Sequence, residues 1–345
     1  MKKSPLVLSF CATLAGCIGI PVSRQTEYHI LATGWTVEGE AMAIAAVAHL
    51  GRVANPIPID GPVLKWTRQF DGLVLITESG AKHVKVAMPK GFFYWGSAIA
   101  RKDGNGFLIL LQIPKNDLSE SSFLCATVNI DGTVKSCVWP QGNSPPPYTS
   151  YFSENGYTIR VRRQVNLSNF WFESWDVRTG VTVHLEPEFL TYPLRHPTDP
   201  KPSVVPCEMD QSRLSPHEDQ YAAISTMNTE TGGKSGVWLI SKESAPRLLI
   251  GFQKLIGSWS PDEKKSWKMQ ALEDVTDSYG IAWHPDQKFI YFCGGEQLTG
   301  LIVSVDGSVK QRNLLCFKHP AWSPEGDRIA GSVDEKLQFI NVAAR

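Results

Sequence analysis

No block of one charge sign occurs in this sequence, where 34 basic residues meet 34 acidic ones. Without a basic stripe there is little to release counterions from a phosphate backbone, which argues against a nucleic-acid partner. Missing too are the short motifs that gather chemistry into one loop. There is no G-x-S-x-G nucleophile elbow (Gly257-Ser258-Trp259 is not one), no H-E-x-x-H zinc helix and no glycine-rich phosphate loop. The seven cysteines include no C-x-x-C, so neither a thioredoxin-like centre nor a cysteine-rich zinc site is supported. No catalytic residue, metal ligand or cofactor is expected on these grounds.

What is present describes a packed chain. Hydrophobic residues make up 42% and charged residues 20% of the 345, a balance that separates globular from disordered sequences. Eleven Trp beside twenty-eight Gly suits many short strands joined by tight turns.

The N-terminus carries a second kind of information. Lys2 and Lys3 precede an apolar run from Pro5 to Leu14, and Leu14-Ala15-Gly16-Cys17 follows. Charge, apolar length and small residues in this order resemble the signal peptide and lipobox of bacterial lipoprotein precursors. The resemblance implies cleavage before Cys17, acylation of its thiol and a lipid tether. Ile18, standing where an Asp would favour the inner membrane, implies the periplasmic face of the outer membrane. An ordinary signal peptide or an uncleaved anchor helix stays open, because Pro5–Val22 is nearly long enough to span a bilayer. The chain then divides into a signal peptide at 1–16, a lipidated tether at 17–26 and a folded part at 27–345.

A degenerate repeat runs through the folded part. Trp322-Ser323-Pro324-Glu325-Gly326-Asp327 is its clearest copy, beside Trp283-His284-Pro285-Asp286-Gln287 and Leu214-Ser215-Pro216-His217-Glu218-Asp219. Pro, then an acid, then Gly is type I turn chemistry, and a strand-like run follows each turn. Trp35-Thr36-Val37-Glu38-Gly39 keeps the outline upstream, as does Phe152-Ser153-Glu154-Asn155-Gly156. A second repeat, Asp131-Gly132 and Asp306-Gly307 inside alternating runs, reads as hairpins. Together they describe four-stranded antiparallel units that cannot cover their own faces and must stack.

The W-S-P-[DE]-G element resembles the repeat of TolB-like propellers. The expected fold is therefore all-β, a single β-propeller. Turn marks near Gly39, Gly72, Gly104, Gly156, Glu218, Gln287 and Gly326 favour seven blades, with six to eight possible; the Trp259-Ser260-Pro261-Asp262 copy lies too near Pro285 for a full blade. The last blade has room for three strands, and a segment within Pro21–Leu31 is expected to cover its edge.

Few residues stand out as chemistry. Cys125 and Cys137 lie symmetrically about Asp131 and could face each other across two strands, so a disulfide and a pair of buried free thiols both stay open there. Cys293 and Cys316 are expected on the second and fourth strands of one blade, two spacings of roughly 4.8 Å apart and too far to bond. His217-Glu218-Asp219 is the densest polar cluster, but it occupies a turn. His284 and His319 each precede a proline, at strand ends expected to be equivalent, and would share a rim. Trp35, Trp259, Trp283 and Trp322 are expected to wedge between blades rather than stack sugars.

The leading expectation is a membrane-anchored module that binds an envelope protein. A ligand- or glycan-binding sensor and a propeller enzyme with a channel-mouth site remain alternatives, since fold alone does not choose among them.

Overall fold

The computed structural model describes residues 25–54, 64–84, 95–114, 121–140, 150–153, 155–166, 169–184, 209–217, 219–225, 236–241, 244, 247–251, 280–293 and 300–342. Cys17, Cys207, the Trp259 copy and nearly all of both proline-rich stretches (140–148 and 193–206) lie outside these residues.

Every regular element among the described residues is a strand. The first sheet holds β1 (Gln25–Trp35), β2 (Ala41–Ala54), β3 (Leu64–Thr77) and β4 (Gly80–Val84). In the second are β5 (Trp95–Ala100), β6 (Gly106–Pro114), β7 (Ser121–Asn129) and β8 (Val134–Ser136). The third comprises β9 (Ser150–Phe152), β10 (Thr158–Asn166), β11 (Asn169–Asp176) and β12 (Thr182–His184). The fourth consists of β13 (Met209–Leu214), β14 (Gln220–Ser225), β15 (Gly236–Ser241) and β16 (Arg247–Gly251). β17 (Ile281–Trp283), β18 (Phe289–Phe292), β19 (Gly300–Ser304) and β20 (Val309–Leu314) make the fifth. The sixth stops at three strands: β21 (Lys318–Trp322), β22 (Arg328–Val333) and β23 (Lys336–Asn341). Each sheet is an antiparallel meander in sequence order.

Six sheets among the described residues, against the seven blades favoured by turn counting, has a local cause. Asp71-Gly72 is not a turn. Val47 pairs with Gly72 and Ala48 with Phe70, which leaves Asp71 as the extra residue of a bulge inside β3. The other six marks each fall between the first and second strands of one sheet. β1 begins at Gln25, two residues inside the stretch read as tether.

Burial explains why strict polar alternation is lost. Ala41 to Ala48 of β2 is buried throughout. Met42, Ile44 and Ala46 pack with Phe107 and Ile109 of the second sheet. Ala43 and Ala45 turn the opposite way, toward Ile30 of β1 and Leu337 of the sixth sheet. A strand covered on both faces reads as a continuous apolar run, and small residues let the flanking sheets approach. Arg160 is a polar residue of β10 enclosed by the same stacking. It stands opposite Ile159 and Val161 yet is buried, donating from Nη1 to the Tyr221 hydroxyl of the fourth sheet at 2.7 Å.

Most neighbouring sheets share cores, and the Arg160–Tyr221 bond joins the third to the fourth. Leu108 and Leu110 of the second meet Ile159, Val161 and Trp175 of the third. Val237 and Ile250 of the fourth join Ile290, Tyr291 and Val303 of the fifth, Phe317 of the following crossover and Ile329 of the sixth. Each such large side chain contributes about 1.5–3 kcal/mol through burial. The sixth sheet then returns to the first. Trp35 packs with Ala330 and Leu337, and its indole N–H donates to the Ala321 carbonyl at 2.9 Å. Trp322 repeats this one sheet back, donating to the Ala282 carbonyl at 3.1 Å.

Of the segment expected to cover the last edge, only 25–31 is described, and it does not pair with that edge. That part lies in β1, paired with β2. Ile30 touches Leu337 and its N–H donates to Glu335 at 2.7 Å, but β23 pairs only with β22 among the described strands.

Candidate functional site

In a four-stranded meander, the first-to-second and third-to-fourth connections leave one end of the sheet, while the remaining connections leave the other. At the first end the connections are short turns, and the six first-to-second turns share one hydrogen-bond plan. In the last copy Ser323 N donates to the Arg328 carbonyl and Gly326 N to the Ser323 carbonyl, both at 2.9 Å. Thr36, Arg101, Ser153, Ser215 and His284 open the corresponding turns, each with its N–H bonded across the hairpin.

A hydroxyl strengthens several of these turns from inside: Thr36 Oγ1 accepts the Glu40 N–H at 3.1 Å, and in two copies a serine also binds an aspartate. Ser323 Oγ donates to Asp327 at 2.8 Å and accepts the N–H groups of Asp327 and Arg328. Ser215 does the same with Asp219, at 2.7 Å, and with the N–H groups of Asp219 and Gln220. This pair went unread in the sequence, although Ser-Pro-x-x-Asp stands in both copies. Asp219 is thereby committed to the turn; His217 beside it is exposed, and Glu218 lies outside the described residues. Pro216, Pro285 and Asp286, and Pro324 and Glu325, occupy the turn bodies of their copies.

The glycine at the fourth turn position has two tasks. Gly39, Gly104, Gly156 and Gly326 all have φ between 66° and 78°, a region costly for residues with a Cβ. They also touch the adjacent sheet. A Cβ on Gly104 would lie 2.7 Å from Val37 N, and one on Gly156 2.6 Å from Arg101 Cα. Turns of consecutive sheets therefore rest directly on one another. Gln287 adopts φ 61° without being glycine.

Around these contacts the rim gathers its polar groups. Asp103 accepts from Arg101 Nη2 at 2.6 Å and Nε at 3.1 Å, from the Tyr157 hydroxyl at 2.6 Å and from Asn105 N at 3.0 Å. Partial burial pushes its carboxyl up, but these donors outweigh burial and bring it down to about 2. Burial, and then the bond to Asp103, raise the Tyr157 hydroxyl. The Tyr157 ring lies between two guanidiniums, with Arg101 at 5.0 Å and Arg178 at 4.6 Å from its centroid. Arg178 is itself paired with Asp176, at 2.6 and 3.1 Å, which lowers that carboxyl. The cluster binds the second sheet to the third. Sequence reading missed it because Tyr157 and Asp103 are 54 residues apart.

His284 takes the place of the turn-opening hydroxyl in the fifth sheet. Its Nδ1 lies 2.6 Å from Asp286 Oδ1, its Nε2 3.1 Å from the Gly326 carbonyl, and its ring meets the Trp322 ring edge-on at 4.7 Å. His319 is not its equivalent, contrary to the sequence expectation. It sits inside β21, at φ 51° within a register shift between Lys318 and Ala321. A Pro following a His marked two different places. Trp35, Trp283 and Trp322 end the first strands of their sheets and are buried.

Cys125 and Cys137 form a disulfide with a Cα separation of 5.3 Å, and Cys137 N donates to the Cys125 carbonyl. Cys293 and Cys316 are also bonded, with the same Cα separation, which corrects the expectation that they lie too far apart. Cys316 is not on β20. It lies in the crossover to β21, which bends back over the end of β18, where the Tyr291 hydroxyl donates to the Leu315 carbonyl at 2.5 Å. No three His, Cys, Asp or Glu side chains among the described residues are grouped to hold a metal.

No family model and no curated protein matches this chain. Solved structures do resemble it. TolB from Acinetobacter baumannii aligns with 86% of this chain at 14% identity and a TM-score of 0.41; this chain spans 57% of that protein. XC5397 of Xanthomonas campestris, described as a gluconolactonase, aligns with 92% of this chain and 86% of its own length, at 8% identity and a TM-score of 0.43. The Cps50 (Swd1) β-propeller domain of Myceliophteria thermophila aligns with 92% of this chain and all of its own, at 11% identity and a TM-score of 0.39.

Proposed function

We propose that this chain is an exported β-propeller of six blades, anchored by lipid at Cys17, that serves as a docking module for other proteins of the cell envelope. The observation that carries the reading is the two cysteine pairs at bonding distance in a chain that opens with a lipobox-like segment. Disulfides persist in oxidising compartments, and the leader directs a chain to one.

Two further features of the structure support the reading. Sheets one to six meet in sequence, and the sixth meets the first, as blades around an axis would. On the described turn rim Asp103 is bonded to Arg101 and Tyr157, and Asp176 to Arg178. Such a rim is a rigid platform, the kind of surface that holds recognition loops. A lipid tether raises the local concentration of any partner on the same membrane.

Crosslinked pull-down from intact envelopes tests the reading. A specific envelope protein should be recovered with the native chain and lost, or reduced about tenfold, with Cys17→Ala. Mass spectrometry of the native chain should find acyl groups on Cys17. A native chain without lipid ends the anchor; recovery of no specific protein ends the docking role.

A further inference from the structure

Among the described residues five of the six sheets have four strands, and the sixth has three, with β23 at its edge. Val342 N donates inward to the Asp327 carbonyl at 2.7 Å. Main-chain groups alternate sides along a strand, so Ile340, Gln338 and Lys336 also face β22, and the N–H and C=O groups of Leu337, Phe339 and Asn341 face outward. No described strand pairs with them. An open row of this kind is a template for another strand.

We propose that β23 pairs antiparallel with β23 of a second copy of this chain, about a two-fold axis through Phe339. The sequence of the strand, Lys-Leu-Gln-Phe-Ile-Asn, is self-complementary in that register. Phe339 stands opposite Phe339 of the partner subunit, Leu337 opposite Asn341 of the partner subunit, Gln338 opposite Ile340 of the partner subunit, and Lys336 opposite Val342 of the partner subunit. No charge meets a like charge directly across the pair. The three outward residues of each copy fall on the hydrogen-bonded positions, giving about six main-chain bonds in all.

The residue on the axis has the character the register asks for. Phe339 is one of the few large apolar side chains left exposed, at 41%, with its ring edge-on to Trp35 at 6.4 Å and the Arg328 guanidinium 5.8 Å from its centroid. A second phenylalanine across the axis would add an aromatic cross-strand pair. Such an interface is isologous and closes at two.

Cysteine crosslinking of the full chain in intact cells, under mild oxidation, tests the pairing. Phe339→Cys should give a dimer that reduction dissolves, because its symmetry mate lies roughly 5.5 Å away, Cα to Cα. Lys336→Cys should give none beyond the parent chain, because six residues of register offset put its mate roughly 20 Å away. Adding Asn341→Pro to Phe339→Cys removes outward donors and should abolish the crosslink while the melting curve is retained. The proposal is overturned by a Phe339→Cys chain that stays monomeric, whether its thiol reacts freely with a maleimide (an open edge) or resists it (an edge covered by the chain's own upstream residues or by another protein). Equal crosslinking at positions 336 and 339 overturns it as well.

Discussion

Asp103 shows how much a single side chain does on the turn rim. Its carboxylate collects four donors, three of them from side chains. Because its folded value is lowered from 3.8 to about 2, its stabilising effect is present above the unfolded value and is lost as pH falls through the folded one. Asp103→Asn should therefore destabilise the protein at neutral pH, by about 1 kcal/mol after allowance for solvent screening. The gap from the native chain should shrink between about pH 4 and pH 2. Urea unfolding across that range measures it; a gap that persists at pH 2 would place the effect elsewhere. The fourth turn position makes a complementary prediction. Gly156→Ala combines an unfavourable φ with backbone contact and should cost about 1–3 kcal/mol. Gln287→Gly should raise stability by up to about 1 kcal/mol, by relieving the φ of 61°. Thermal melts that rank these two variants in reverse would refute the account.

Strand and hairpin boundaries are where the sequence spoke most clearly, and where its ambiguities can be traced. Gly39, Gly104, Gly156 and Gly326 were legible because one turn geometry demands one residue type. Asp71-Gly72 carried the same letters for another reason, since a bulge also favours Gly, and only pairing with Val47 and Ala48 tells the two apart. Cys316 misled through a similar economy: its distance from Cys293 was judged as if strand β20 ran on, whereas the chain leaves the sheet after Leu314. Asp103, Tyr157 and Arg178 left no local trace, because contacts between sheets join residues that no repeat brings into register. The Cys125–Cys137 bond closes a loop of twelve residues in sequence separation, so Cys125→Ala with Cys137→Ala should cost about 2–3 kcal/mol. Reductant should then lower the urea midpoint of the native chain by more than that of the double variant, which keeps only Cys293–Cys316 among the described bonds. Equal losses in the two proteins would contradict this.

Across the whole molecule, the contact between the first and last sheets sets the behaviour. Trp35 joins Ala321, Arg328 donates to the Gly39 carbonyl, and Ile30 bonds Glu335, each across nearly the full length of the chain. Trp35→Phe removes one of these bonds and some volume, at a cost of about 1–2 kcal/mol. Hydrogen exchange should quicken in β21 and β22 as well as in β1 and β2. Quickening confined to β1 and β2 would mean that the two ends of the chain are held independently.

The place of β1 also decides how the protein bears load. Its turn into β2 lies at the far end from Gln25, and ten registered pairs run between the two strands. A pull applied upstream of Gln25 draws β1 along its own axis, so the ladder is sheared as a set and not unzipped one rung at a time. Any attachment made upstream of Gln25 would therefore load the sheet in its mechanically strong direction.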